Sequence, residues 1–304
     1  MKFIVVGPTI VNDIVFADGT EKKQQLGGSV YCLAGIKLWT DDCLYVSNVG
    51  SDFSRFYGEW MDRNRCSRDG LNTILPHTHY TRLVYGEEDL HDEYSIYGPE
   101  IEAESWRLDV VTAEQLGGHC SPDTSGIYIE ANERDPLWDN LDGIRRGCGA
   151  KIMWELPTSA CMDQGRRADV MKALGRVDMY SVNLPEAMRL FDCANEEVAI
   201  AAVARHGGVC FLRAGKKGSY LVAEGKAHFA SSLTVGSVVD ATGCGNASTA
   251  AAMYGYCSGF SPAKAARAAN ISAAFNLLQH GPYPECSQAT RDRAAALLSD
   301  GVTL

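Results

Sequence analysis

Residues Asp240–Thr249 read Asp-Ala-Thr-Gly-Cys-Gly-Asn-Ala-Ser-Thr and lead into an alanine-rich run that favours helix. Gly243 and Gly245, with Cys244 between them, let the backbone come close to a ligand. The first N–H groups of a helix lack internal partners and the helix dipole favours negative charge there, so such a start can hold a phosphate. No Lys-Ser/Thr pair follows the glycines, and the third glycine of a dinucleotide fingerprint is missing. A plain turn before a helix gives the same pattern. Where a proton acceptor would be wanted next to the phosphate stands Asn246. Its amide can orient a hydroxyl but has no useful basicity near neutral pH.

The elements that would position this loop follow from the pattern around it. Short apolar runs, KFIVVG, CLYVSNVG, SGIYIE, AKIMWEL, VDMYSVN, VCFLRAG and SYLVAE, are bounded by Gly, Asp or Ser, as buried strands are. Between them lie stretches with helical spacing of apolar residues, among them one from Pro185 that runs out at Gly207. Strand and helix in alternation predict an α/β chain with a mostly parallel sheet. After the loop the chain turns mainly helical, with Ser261 as N-cap, Pro262 at the first helical position and a stop at Gly281-Pro282. Residues 77–97, rich in Thr, Tyr and Val, suit exposed antiparallel strands, and residues near 14–25 add a strand and an Asp18-Gly19 turn. Both read as parts of a small β lid on a single domain spanning residues 1–304.

The loop resembles the carboxy-terminal signature of the ribokinase-like, or PfkB, carbohydrate kinases, Asp-x-Thr-Gly-Ala-Gly-Asp. Asp240, Thr242, Gly243 and Gly245 match it, Cys244 replaces a small residue, and Asn246 takes the place of the catalytic Asp. LGGSVYCLAG at Leu26–Gly35 is similar to the family's Gly-Gly sugar motif, and VSNVGSDF at Val46–Phe53 to the strand end that follows it. SVNLPEA supplies an Asn-x-x-Glu element as Asn183 and Glu186, and LRAGKKGSYLV resembles the nucleotide-site strand and turn. The resemblance implies a three-layer α/β/α fold with a β lid, and a kinase that moves the terminal phosphate of ATP to a hydroxyl of a sugar, polyol or nucleoside. It implies substrate contacts at Asp13, Gly27, Gly28, Ser29 and Cys32, and nucleotide contacts at Asn183, Glu186, Arg213, Gly215, Gly218, Asp240 and Thr242. Asn183 and Glu186 would organise Mg²⁺ and its waters near the phosphates, with Glu186 as the metal residue, since oxygen ligands suit that ion. Read without the family, Asp13 is a turn or cap, and Asn183 with Glu186 a helix cap. Arg213 stands where Thr is common: it adds a charge near the phosphates or is an exposed strand end. Asn246 argues for a slow kinase or one with a relocated base; the alternative is a degenerate member that acts by binding nucleotide or sugar.

Composition narrows the classes further. The 304 residues are 46% hydrophobic and 22% charged, ordinary for a water-soluble globular protein. A formal net charge of −10 and no basic cluster speak against nucleic acid. The amino-terminal apolar run stops at Gly7-Pro8, too short to span a membrane. Eleven scattered cysteines with no C-x-x-C pair suggest a reducing cytoplasm. His77 and His79 would share one face of a strand, yet with His91 they find no carboxylate or Cys that completes a metal set in the sequence. Tyr80, Leu83, Val84, Tyr85, Tyr94 and Ile96 could supply a homodimer surface on the lid, or simply pack on their own domain.

Overall fold

The computed structural model describes residues 2–86 and 91–300. The strands are β1 (Phe3–Val6), β2 (Thr9–Val15), β3 (Glu21–Gly28), β4 (Cys43–Gly50), β5 (Leu71–Leu75), β6 (His79–Tyr85), β7 (His91–Ser95), β8 (Gly126–Glu130), β9 (Lys151–Glu155), β10 (Met179–Asn183), β11 (Val209–Arg213), β12 (Gly218–Ala223) and β13 (Lys226–Ser231). The helices are α1 (Val30–Lys37), α2 (Phe53–Arg63), α3 (Pro99–Asp109), α4 (Ala113–Gly117), α5 (Leu141–Gly147), α6 (Thr158–Met162), α7 (Arg167–Leu174), α8 (Leu184–Leu190), α9 (Glu196–His206), α10 (Cys244–Cys257), α11 (Pro262–Asn276) and α12 (Gln288–Asp300).

Nine of the strands form one sheet in the order β13-β12-β11-β10-β9-β8-β1-β4-β5. All neighbours pair in parallel except β11 with β12 and β12 with β13. Successive residues of a strand face opposite sides, so a central strand apolar throughout feeds two cores. In β1, Ile4 and Val6 belong to the core that also holds Ile129, Trp154 and residues of α8 and α9 on one side, while Phe3 and Val5 belong to the core that holds Tyr45, Tyr128 and residues of α1, α10 and α11 on the other. The three-layer α/β/α arrangement expected from the sequence follows from this double burial.

Small residues set how closely the helices on the second face approach. A Cβ on Gly35 of α1 would lie 2.2 Å from the carbonyl oxygen of Ala247 in α10. One on Gly255 would reach 3.0 Å from Ala265 of α11. α1 thus sits close against the first turns of α10 and α11 against its last.

The lid is a second sheet in the order β3-β2-β6-β7. Its hairpin pairs from Thr9 with Gly28 outward, so it begins before the stretch near residue 14 that the sequence suggests. β2 and β6 run parallel, whereas β2 with β3 and β6 with β7 are antiparallel. Residues 87–90 of the expected lid segment lie outside the described residues. The helical stretch from Pro185 to Gly207 is two helices: Asp192 takes a left-handed φ of 54° between them, and Asn195 restarts the chain by accepting a hydrogen bond from Val198 N at 2.9 Å. No helix among the described residues is long and apolar enough to cross a membrane.

Candidate active site

Four neighbouring parallel strands end on polar residues. Glu130 of β8 is in register with Glu155 of β9, and Asn183 of β10 with Arg213 of β11. With Asn246 they line a cleft of about 770 Å³ whose other walls come from Gly7, Pro8 and Ile10, from Trp106 and Asp109 of α3, and from Thr158 and Glu186. A crevice beyond the carboxyl ends of parallel strands is where such sheets bind ligands. Glu130 and Glu155 were not singled out as site residues in the sequence, though each closes an apolar strand run, and that was the available signal.

α10 presents its first turn to this cleft. Gly243, the N-cap, has φ of 74°, and a Cβ there would fall 2.2 Å from the Tyr31 ring. Only glycine fits this position. At Gly245 a Cβ would meet Arg213 Nη1 at 2.4 Å, so any side chain there would have to displace the Arg213 guanidinium. Cys244 faces the other way, its thiol 3.5 Å from Ala273 O, and burial raises its pKa to about 11. Asn246, one residue past Gly245, lines the cleft.

Arg213 is a buried, doubly paired cation rather than an exposed strand end. Its Nη1 lies 2.6 Å from Glu155 Oε1 and its Nη2 3.4 Å from Glu186 Oε2. Burial works against its charge, but the two carboxylates outweigh that and raise its pKa. Tyr128 donates to the other oxygen of Glu155 at 2.5 Å. Glu130 takes a 2.5 Å hydrogen bond from Ser29 Oγ. Burial, and then the charge of Glu155, push the Glu130 carboxyl up to about 7.

Asn183 and Glu186 form a reciprocal cap on α8: Asn183 Oδ1 accepts from Glu186 N at 2.8 Å, and Glu186 Oε2 from Asn183 N at 2.7 Å. Glu186 Oε1 accepts from Thr158 Oγ1 at 2.7 Å. With Arg213 alongside, both oxygens of Glu186 have partners in this arrangement. Among the described residues no group of three or more His, Cys, Asp or Glu is placed to hold one.

The remaining expected residues are placed apart from the cleft wall. Asp13 Oδ1 accepts from Gln24 N at 2.9 Å and Tyr80 OH at 2.8 Å within the lid. Its neighbour Asn12 is the residue against the glycine turn, since a Cβ on Gly27 would touch Asn12 Nδ2 at 2.2 Å. Gly28 needs its φ of 65° to pass Pro8 O. Cys32 is fully buried under the sheet, where burial raises its pKa. Gly215 and Gly218 make the turn between β11 and β12, at φ of 57° and 128°. Asp240 Oδ1 accepts from Thr242 N and Oγ1 at 2.9 and 2.8 Å, and Tyr85 of the lid meets Thr242 Oγ1 at 3.0 Å. The lid is thus tied to the glycine loop.

A mostly parallel sheet between two helical layers, a β lid, a glycine-capped helix at the strand ends and a shared cleft define a ribokinase-like fold. The model of the pfkB family carbohydrate kinases matches residues 145–289, the stretch that holds the Asn183–Glu186, Arg213–Gly218 and Asp240–Asn246 motifs, and bears out the resemblance there. An uncharacterized protein of Schizosaccharomyces pombe is 24% identical, covering 92% of this chain and 85% of its own. The nucleoside kinase of Burkholderia thailandensis in complex with inosine superposes with a TM-score of 0.78 at 16% identity, over 99% of this chain and 98% of that one. An E. coli protein described as a ribokinase II, in complex with ATP and Mg²⁺, gives 0.76 at 17% identity, over 98% and 99%.

Proposed function

We propose that this chain transfers the terminal phosphoryl group of ATP to a hydroxyl of a sugar, polyol or nucleoside. The observation that carries the reading is that Asn246, in the first turn of α10, and the strand-end carboxylate Glu130 line one cleft. A phosphoryl group at the α10 amino terminus would meet unpaired backbone N–H groups and the positive end of the helix. Arg213, held against Gly245, adds a fixed cation on the same side. Phosphoryl transfer proceeds through a loose transition state and draws most of its acceleration from such positioning and charge neutralisation.

Asn246 then orients the acceptor hydroxyl, and the proton leaves late. Its destinations are the phosphoryl oxygens, water or a cleft carboxylate, and Glu130, held close to neutral pH, is the carboxylate suited to share it. Mg²⁺ would enter bound to the nucleotide phosphates, since Glu186 is already engaged. Such an ion neutralises phosphate charge while keeping several of its waters. The exposed lid residues Tyr94 and Ile96 are the surface through which two copies would pair.

The test is turnover. Purified protein with ATP, Mg²⁺ and a panel of sugars, polyols and nucleosides should release ADP in proportion to one acceptor, with a product heavier by one phosphoryl group. ATP consumption that is indifferent to every acceptor would sink the proposal.

A further inference from the structure

Where α3 meets the lid, a group of charges has formed that the phosphate side of the site does not use. His79 of β6 is fully buried, its Nδ1 3.2 Å from Glu102 Oε1 and its Nε2 3.6 Å from Asp109 Oδ2. Its ring stacks on Trp106 at 3.9 Å and 15°. Glu102, Trp106 and Asp109 recur at helical spacing along α3, so one face of the helix grips the ring. Ser95 of β7 holds the other oxygen of Glu102 at 2.7 Å.

Asp109 is 7% exposed and lines the cleft. One oxygen faces His79; the other, Oδ1, is buried and has no hydrogen-bond partner among the described residues. A buried carboxylate oxygen left without a donor costs free energy, and because Asp109 lines a cleft, a ligand that brings the donor there would relieve that cost. Trp106 beside it offers an apolar surface, and Glu130 and Asp135 line the same cleft with further carboxylates alongside Arg107, while Glu155 is already paired with Arg213. A wall of this kind accepts hydrogen bonds from hydroxyl or amino groups and repels an anion.

We infer that Asp109 is an acceptor-binding residue, that its free oxygen takes a hydrogen bond from a hydroxyl or amino group of the acceptor, and that the acceptor is therefore an uncharged polyhydroxy compound and not a sugar acid or a sugar phosphate. The inference rests on the kinase reading only in placing an acceptor in this cleft. His79 is a positioning residue: buried on the lid strand, it fixes the carboxylate without touching the ligand.

The experiment measures binding by calorimetry for the uncharged probes ribose, fructose, adenosine and inosine and for the anionic probes gluconate and fructose 6-phosphate, with ADP binding as a control on the fold. An uncharged probe should bind and neither anion should. Asp109→Asn should weaken that probe by about 10- to 100-fold, the loss expected for a hydrogen bond to a charged group, and leave ADP binding unchanged. His79→Gln, which keeps Asp109 but releases its orientation, should weaken the same probe by a smaller factor. Binding of either anion in preference to the uncharged probes would overturn the inference, as would an Asp109→Asn protein that binds the probe within twofold of the parent. Asp109-dependent binding with no phosphorylation of the bound probe would instead leave this inference standing and defeat the kinase reading.

Discussion

At the scale of single residues the site turns on two side chains, Asn246 and Glu130. Replacing Asn246 with Asp restores a proton acceptor in the first turn of α10, and a positioned base typically contributes about 10²- to 10⁴-fold. The expected outcome is faster turnover of the same acceptor, measured as the initial rate of ADP release. A fall from an already substantial rate would mean that the amide itself has a positive catalytic role. Glu130 makes a prediction in pH. Its carboxyl is raised from 4.5 to about 7, burial being the main cause and the charge of Glu155 the next. The folded protein therefore binds a proton that the unfolded chain releases, and stability present below pH 4.5 is lost as pH rises to about 7. Glu130→Gln should flatten that window, with the parent losing on the order of 1–3 kcal/mol relative to the variant between its ends. Denaturant titrations across these pH values check it, and parallel pH profiles for the two proteins would refute it.

At the scale of elements the glycine loop is rigid because other elements fill the space around it. Gly245→Val would drive a side chain into Arg213 Nη1, 2.4 Å from the Cβ position, and so break the pairing with Glu155 beside the phosphate end of the cleft. ATP binding should fall below detection in calorimetry while circular dichroism stays that of the parent; unchanged affinity would move the anion site elsewhere. The lid is the more yielding element, joined to this loop by Tyr85 and Thr242. Tyr85→Phe removes a hydrogen bond of about 1 kcal/mol, so hydrogen exchange in β6 and β7 should quicken by roughly fivefold in the ligand-free protein. Bound nucleotide and acceptor should slow exchange in those strands more than in α11 and α12, and a lid indifferent to every bound ligand would not be a lid. The strand pattern was legible because each sheet strand is a short apolar run closed by a turn former, but pairing was less so. Asp13 and Asn12 differ by one position on β2, where alternation and a bulge between Asn12 and Ile14 decide which one reaches the glycine turn. That choice depends on register with β3, which no local pattern encodes.

At the scale of the whole molecule, the cleft gathers residues from β8, β9, β10, α3, α8, α10 and the segment between β1 and β2. Motifs found one at a time, at Asn183, Glu186 and Asn246, came together because parallel strands bring their carboxyl ends to one edge. His79 stood out in the sequence only beside His77 and His91, and its carboxylate partners Glu102 and Asp109 were invisible because packing of α3 on the lid, not a motif, brings them to it. Because the cleft wall is drawn from so many elements, the site exists only when they are folded together and is lost in the unfolded chain. Ligands that bind only the folded state stabilise it by about 2.7 kcal/mol at 100 times Kd. ATP and the right acceptor should therefore each raise the melting temperature by a few degrees at that saturation. The two shifts should add in the parent protein if, as proposed, donor and acceptor take opposite ends of one cleft, and the acceptor's shift alone should shrink in Asp109→Asn. Thermal melts with each ligand alone and with an unreactive ATP analogue plus acceptor make the comparison. Two ligands that cancel one another's shift would place them in the same space, and the division of the cleft into a phosphate end at α10 and an acceptor end at α3 would have to be given up.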